Sequence, residues 1–159
     1  MSAILVCVQA STSTPIDTAA LARDLGIFLK RVLTTNNREF FAALQEAGIS
    51  FSKLKCLGVL SEAGAPTSIG ALADELALSP AAISRAVDGL VQRGELRREE
   101  DPEDRRSKIV SLAAKGRATY DRIMAVRLAG VRSFVEDLEP EEREALGSAL
   151  HPIIERLSL

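Results

Sequence analysis

The sequence has no tryptophan, one tyrosine, one histidine and two cysteines among its 159 residues. Each scarcity excludes something. With aromatics at 4%, the core must be assembled from Leu, Val, Ile and Ala, which favours packed helices. Cys7 and Cys56 are too few and too far apart for a disulfide framework or a zinc site. His151, beside Pro152, is the sole imidazole, so a Ser-His-Asp or Cys-His unit would have to run through that one residue. No clustered catalytic set accompanies it. The longest apolar run near the start is Ala3–Val8, far short of the roughly 20 residues of a membrane span. No Lys or Arg precedes that run, as a secretory signal would require. Excess charge of either sign is lacking too: the net is −2, which by itself argues against nucleic-acid binding. The expectation is a soluble, cytoplasmic chain of one compact domain with appendages, not an enzyme, with no cofactor and no membrane partner.

What the sequence does have is helical periodicity. Residues 1–16 read as a flexible arm, and residues 17–48 as one long amphipathic helix. In that helix Leu21, Leu25, Phe28, Val32, Phe40 and Leu44 recur at helical spacing, and Gly48 ends it. A helix of roughly 30 residues in so short a chain cannot bury its stripe on a small domain alone, so it calls for a partner. Residues 49–115 follow as a separate unit. Ser52 is the expected cap of a helix carrying Leu54, Leu57 and Leu60, and Gly64–Pro66 turns the chain. Thr67 or Ser68 starts a short helix through Leu76, and Ser79-Pro80 starts another, with Ile83, Val87, Leu90 and Val91 inward and Gly94 as the stop. Strand-like pieces Glu95–Glu99 and Lys108–Leu112 form a hairpin around a charged tip. Residues 116–159 supply two further helices. The first has Tyr120, Met124, Leu128, Val131, Val135 and Leu138 as its stripe. The second opens on Glu139–Glu142, carries Leu146, Leu150, Ile154 and Leu157, and is kinked at Pro152.

The stretch that carries function is Ser68–Ser111. Two short helices separated by a tight turn at Ala77-Leu78 have helix-turn-helix spacing, with small Ala73 at the crossing and Leu76 and Ile83 filling the angle. Ala81, Ala82, Ser84 and Arg85 then project from the start of the second helix. Small residues let the backbone approach base edges, Ser bonds bases or phosphates, and Arg can bind guanine bidentately. A plain helical hairpin with a solvated face is the competing reading. The hairpin tip, Asp101 to Lys108, sets basic residues beside an acid that can orient them, and an arginine there can enter a narrow minor groove. A solvated charged loop is its bland alternative. A calcium loop is excluded by spacing and by the missing turn glycine.

Taken together, Leu72 through Arg85, Leu90 to Gly94, Asp101-Pro102-Glu103-Asp104-Arg105-Arg106, Val110-Ser111-Leu112 and Lys115-Gly116-Arg117 resemble the MarR family of bacterial transcriptional regulators. The resemblance implies a mainly α fold with a small β-hairpin: a winged helix-turn-helix flanked by long dimerisation helices. It implies a homodimer on double-stranded DNA, with recognition helices roughly 34 Å apart on a palindromic operator. It also implies repression, and release by a small aromatic or anionic effector. The expected DNA-facing set is Thr67, Ser68, Ser79, Ala81, Ala82, Ser84, Arg85 and, in the wing, Asp104, Arg105 and Arg106. The acid and arginine of the family's Asp-x-Arg wing pattern fall on Asp104 and Arg106. Two positions depart from the pattern: Ala77 stands where a turn glycine is common, and Ala113 where a capping threonine is frequent.

Ser52–Gly116 holds ten basic and ten acidic residues, so DNA binding would rest on where the arginines sit rather than on bulk charge. A winged helix that binds protein is the alternative this neutrality suits. A thiol sensor of the same family is another. Against it, Cys56 reads as a small buried hydrophobe beside Leu57, while Cys7 lies in the arm.

Overall fold

A computed structural model describes residues 17–102 and 107–157. Seven helices and three short strands follow one another as α1 (Thr18–Thr34), α2 (Asn37–Ala47), α3 (Phe51–Ala63), β1 (Thr67–Ser68), α4 (Ile69–Leu76), α5 (Pro80–Gln92), β2 (Leu96–Glu100), β3 (Lys108–Leu112), α6 (Ala114–Glu136) and α7 (Pro140–Leu157). The arm, with Cys7, lies outside the described residues.

The expected single helix over residues 17–48 is broken into α1 and α2. Thr34 and Thr35 turn their hydroxyls back onto the carbonyls of Lys30 and Arg31, and Asn36 leaves helical geometry at φ −128°, ψ 34°. Such back-bonding competes with the helix ladder. The break is then held from a distance by α6. Asn36 donates to the Val126 carbonyl, and Arg127 donates to the Leu33 carbonyl while stacking on the Phe40 ring at 3.9 Å. Gly130 leaves the room this needs, because a Cβ there would lie 2.1 Å from the Asn36 side chain.

The core belongs to the winged part. Leu57, Leu60, Leu72, Ile83, Val87, Leu90, Val110 and Ile123 are fully or almost fully buried and form one cluster with Phe40, Leu44 and Leu96. Ala73 is buried at the helix crossing and Leu76 packs against the cluster, as the helix-turn-helix spacing predicts. The cap of α3 is Ser50 rather than Ser52: its hydroxyl accepts from the Lys53 amide, whereas Ser52 is already inside the helix. The hairpin β2–β3 pairs antiparallel from Leu96↔Leu112 to Glu100↔Lys108, one residue later on its first strand than expected. It is also joined by a third strand, since β1 pairs Thr67↔Val110 and Ser68↔Ile109, giving the order β1-β3-β2. Two residues are too short a strand to show a period.

Long helix α6 begins at Ala114 and has no side-chain cap at Ala113, as the missing threonine leads one to expect. Its buried line is Gly116, Thr119, Ile123 and Gly130 rather than the predicted stripe, and Leu128 is 63% exposed. Small residues let α6 approach its neighbours closely, which an apolar stripe does not reveal. Arg143 closes its far end by donating to the carbonyls of Val135, Glu136 and Leu138. Helix α7 runs through Pro152 and has no buried residue.

Ala77, in the turn between α4 and α5, is the only described non-glycine residue at positive φ (49°, ψ 42°). A Cβ in this region is strained, and glycine is not. Ala77→Gly is therefore expected to stabilise the fold by about 0.5–1 kcal/mol, less the chain entropy glycine adds to the unfolded state. A shift of the urea midpoint upward at unchanged slope would show it. A lower midpoint would mean that the turn carries no such strain.

Candidate nucleic-acid interface

Helix α5 is set up by local chemistry. Ser79 accepts from the Ala82 amide at 3.3 Å, and Pro80 occupies the first turn, where its missing N–H costs nothing. Ile83, Ala86, Val87 and Leu90 anchor the helix in the core. The opposite side presents Ala81 and Arg85 exposed, with Ser84 and Ala82 half-buried. Positions 81, 84, 85 and 88 lie at i, i+3, i+4 and i+7, a single face.

The serines of the expected set have a structural task as well. The Ser68 hydroxyl caps α4 by accepting from Ala71, as Ser79 caps α5. A capping hydroxyl keeps its own hydrogen and can still donate it to a phosphate. Thr67 is placed differently: its hydroxyl donates to the Ala65 carbonyl, and it lines a groove shared with Glu62 and Glu75. Those carboxylates make its surroundings unsuited to a phosphate. Asp104, Arg105 and Arg106 lie outside the described residues. The base of the wing is described: Lys108 donates to Glu100 at 2.8 Å, and this bond and its charge hold the Glu100 carboxyl below its ordinary pKa.

Sequence reasoning missed a second cation beside α5. Lys53, on α3, shares with Arg85 an open groove of about 280 Å³ lined also by Ser50, Ser52, Ala82 and Ala86. Gly89 makes this possible, because a Cβ there would meet the Lys53 Cε at 2.8 Å. The signal available was a glycine inside an otherwise well-formed helix. Also missed was the brace behind the site. Glu95 is fully buried, receives Arg93 through two nitrogens at 2.9 and 3.2 Å, and accepts from the Thr119 hydroxyl. Arg93 further donates to the Ala47 carbonyl at the end of α2, and Lys115 to the Arg93 carbonyl. One ion pair thus ties α2, the end of α5, the first strand of the wing and α6.

Cys56 is fully buried, and desolvation pushes its thiol pKa up. A thiolate is the reactive form. The folded protein is thus expected to resist alkylation at Cys56, and Cys56→Ser to leave DNA binding and its response to peroxide unchanged while lowering stability. Labelling at the rate of a free thiol, or loss of an oxidant response, would contradict this. Among the described residues there is no group of three or more His, Cys, Asp or Glu fit to hold a metal, and no helix long and apolar enough to cross a membrane.

The MarR family model matches residues 47–107, from α3 through β2 and ending just before β3. The chain is 31% identical over 121 residues to the HTH-type transcriptional repressor Rv2887 of Mycobacterium tuberculosis, covering 76% of this chain and 86% of that one. A MarR-family transcriptional regulator from Silicibacter pomeroyi has the same fold with a TM-score of 0.58 at 29% identity, over 89% of this chain and 96% of that chain. A mutant MepR of S. aureus bound to an oligodeoxyribonucleotide has the same fold at 18% identity, with a TM-score of 0.61 over 89% and 99% of the two chains. The family match falls on the winged part, and the match to the repressor extends it into the long helices. The chain belongs to the MarR family of transcriptional regulators and is not an enzyme.

Proposed function

We propose that the protein is a cytoplasmic, homodimeric repressor that reads a palindromic operator with one α5 in each of two successive major grooves. The observation that carries this is the exposed face of α5, where Ala81, Ser84 and Arg85 project from a helix start fixed by the Ser79 cap. Lys53 beside Arg85, and the free hydrogens of Ser68 and Ser79, supply phosphate contacts along the same side. By the family's Asp-x-Arg pattern, Asp104 and Arg106, with Arg105 between them, are assigned to reading minor-groove width rather than a base code. Thr67 is left out of the set because of the acids around it. The DNA-bound relative supports the choice of partner.

Dimerisation rests on a second observation. Leu21, Leu25, Ile27, Leu29 and Leu33 of α1 are exposed, as are Leu150, Ile153 and Leu157 of α7, the last at 72%. So much apolar surface on two terminal helices suits an isologous interface with a second copy. Release by a small effector belongs to the same reading. An open groove of about 540 Å³ between the α1–α2 break and α6 is lined by Val126, Ala129 and Gly130, with Glu39 its only charged residue. That lining suits an aromatic molecule better than an anion.

Selection of genomic fragments by the purified protein tests the proposal. It should recover sites with inverted half-sites one helical turn apart. On such a site Arg85→Ala should cost about 1–3 kcal/mol and relax preference at one position per half-site. Arg106→Ala should weaken binding most where the flanks are A·T-rich, and Asp104→Ala should reproduce part of that loss. Recovery of no DNA above background, with a protein partner retained instead, would replace the operator reading with a protein-binding winged helix.

A further inference from the structure

Asp88 sits on the DNA-facing stripe of α5, one turn beyond Ser84 and Arg85, and its side chain is 51% exposed. A lone carboxylate in that place would repel a phosphate backbone. It is not alone: Arg98 of the wing donates to its Oδ1 at 2.6 Å. The β-ladder explains the meeting. Residues of a strand alternate between faces, so Arg98 lies on the side of buried Leu96, against α5, while Arg97 and Glu99 lie on the other. Both partners are open to water, Arg98 at 31%, and such pairs contribute little to folding. Stability does not account for an acid placed between two elements that both meet DNA.

We propose that Asp88 is a specificity-determining residue: it holds the Arg98 guanidinium away from the phosphate backbone, so that affinity for arbitrary DNA stays low and binding depends on the contacts of Arg85 and the start of α5. This inference rests on the DNA-binding reading above. The physics is that of counterion release. Each cation that neutralises a phosphate steepens the fall of log affinity with log salt by about 0.9 and raises affinity for all sequences alike. An arginine already paired with a carboxylate adds no net charge and makes no such contribution. Freed, it would contribute without reading sequence.

The test uses the full-length protein in binding titrations between 50 and 200 mM salt, on a duplex recovered by genomic selection and on a random duplex of equal length. Asp88→Asn keeps the shape and removes the charge. It should raise affinity for the random duplex about tenfold at the lowest salt, steepen the salt slope by about 0.9 for each engaged protomer, and narrow the ratio between the two duplexes. Arg98→Gln should weaken binding to both duplexes, since Asp88 then faces phosphates unpaired. The double variant should return to within about twofold of the parent. Weaker or unchanged binding of Asp88→Asn to the random duplex, with the parent still binding its selected site, overturns this inference alone and makes the pair a brace for the wing. Failure of genomic selection to recover any bound duplex overturns the DNA-binding reading and this inference with it.

Discussion

Arg93→Ala is expected to cost about 2–3 kcal/mol of folding stability, since Glu95 loses its partner in the core while the Arg93 side chain, 36% exposed, leaves a gap that water can partly fill. The cost arises at Glu95, which is buried with both of its carboxylate oxygens accepting from the Arg93 guanidinium. Remove the arginine and the carboxylate is left in the core with one hydroxyl donor, Thr119. That remaining bond puts the loss toward the lower end of the range. The Ala47 carbonyl also loses its donor, which loosens the end of α2 against the wing. Urea unfolding at fixed protein concentration should show a lower midpoint at unchanged slope. Adding Glu95→Gln to Arg93→Ala should recover part of the loss, because the stranded charge is gone. A single variant within about 0.5 kcal/mol of the parent would mean that Glu95 is satisfied by other means.

The second large effect is on assembly. Leu25 is half exposed in the protomer and Ile153 is 44% exposed, and neither belongs to the core cluster. Leu25→Glu with Ile153→Glu places four carboxylates in the proposed interface, two from each copy. Burying them unpaired is prohibitive, so the dimer should dissociate with a constant raised at least about a thousandfold, roughly 4 kcal/mol. Sedimentation velocity should show a monomer at micromolar concentration, with the helical circular dichroism of the winged part retained. A dimer that survives both substitutions would move the interface elsewhere. A parent that is itself monomeric would remove the interface altogether.

The winged part was the legible part, because its signals are local. Serine caps, a proline in the first turn and a glycine stop each act within a few residues, and the helices they predict at Ser68 and Ser79 stand where expected. The departures at Ala77 and Ala113 were legible only through the family resemblance, and Ala77 has positive φ while Ala113 gives α6 no side-chain cap. The break at Thr35–Asn36 was not. The apolar period runs straight through it, and what holds it is Asn36 on Val126 and Arg127 on Leu33, about ninety residues away in sequence. The buried line of α6 was hidden because Gly116 and Gly130 do not register as apolar. Glu95 was read only as the first residue of a strand-like piece, since only the fold brings Arg93 and Thr119 around it. In the candidate site, Arg85 and its stripe followed from helix spacing. Lys53 and the Asp88–Arg98 pair needed the packing of α3 and β2 against α5.

Half-site spacing tests most directly whether two copies of α5 read one operator together. Binding should be titrated on a selected site and on the same site with about 5 bp, half a helical turn, inserted between its half-sites. Two rigidly linked recognition helices can reach only one half-site of the altered duplex, so affinity should fall to that of a single half-site, while a 10-bp insertion should do the same by distance. Equal affinity for the parent site and the 5-bp insertion would contradict the account, because each half-site would then be read by an independent protomer or not read at all.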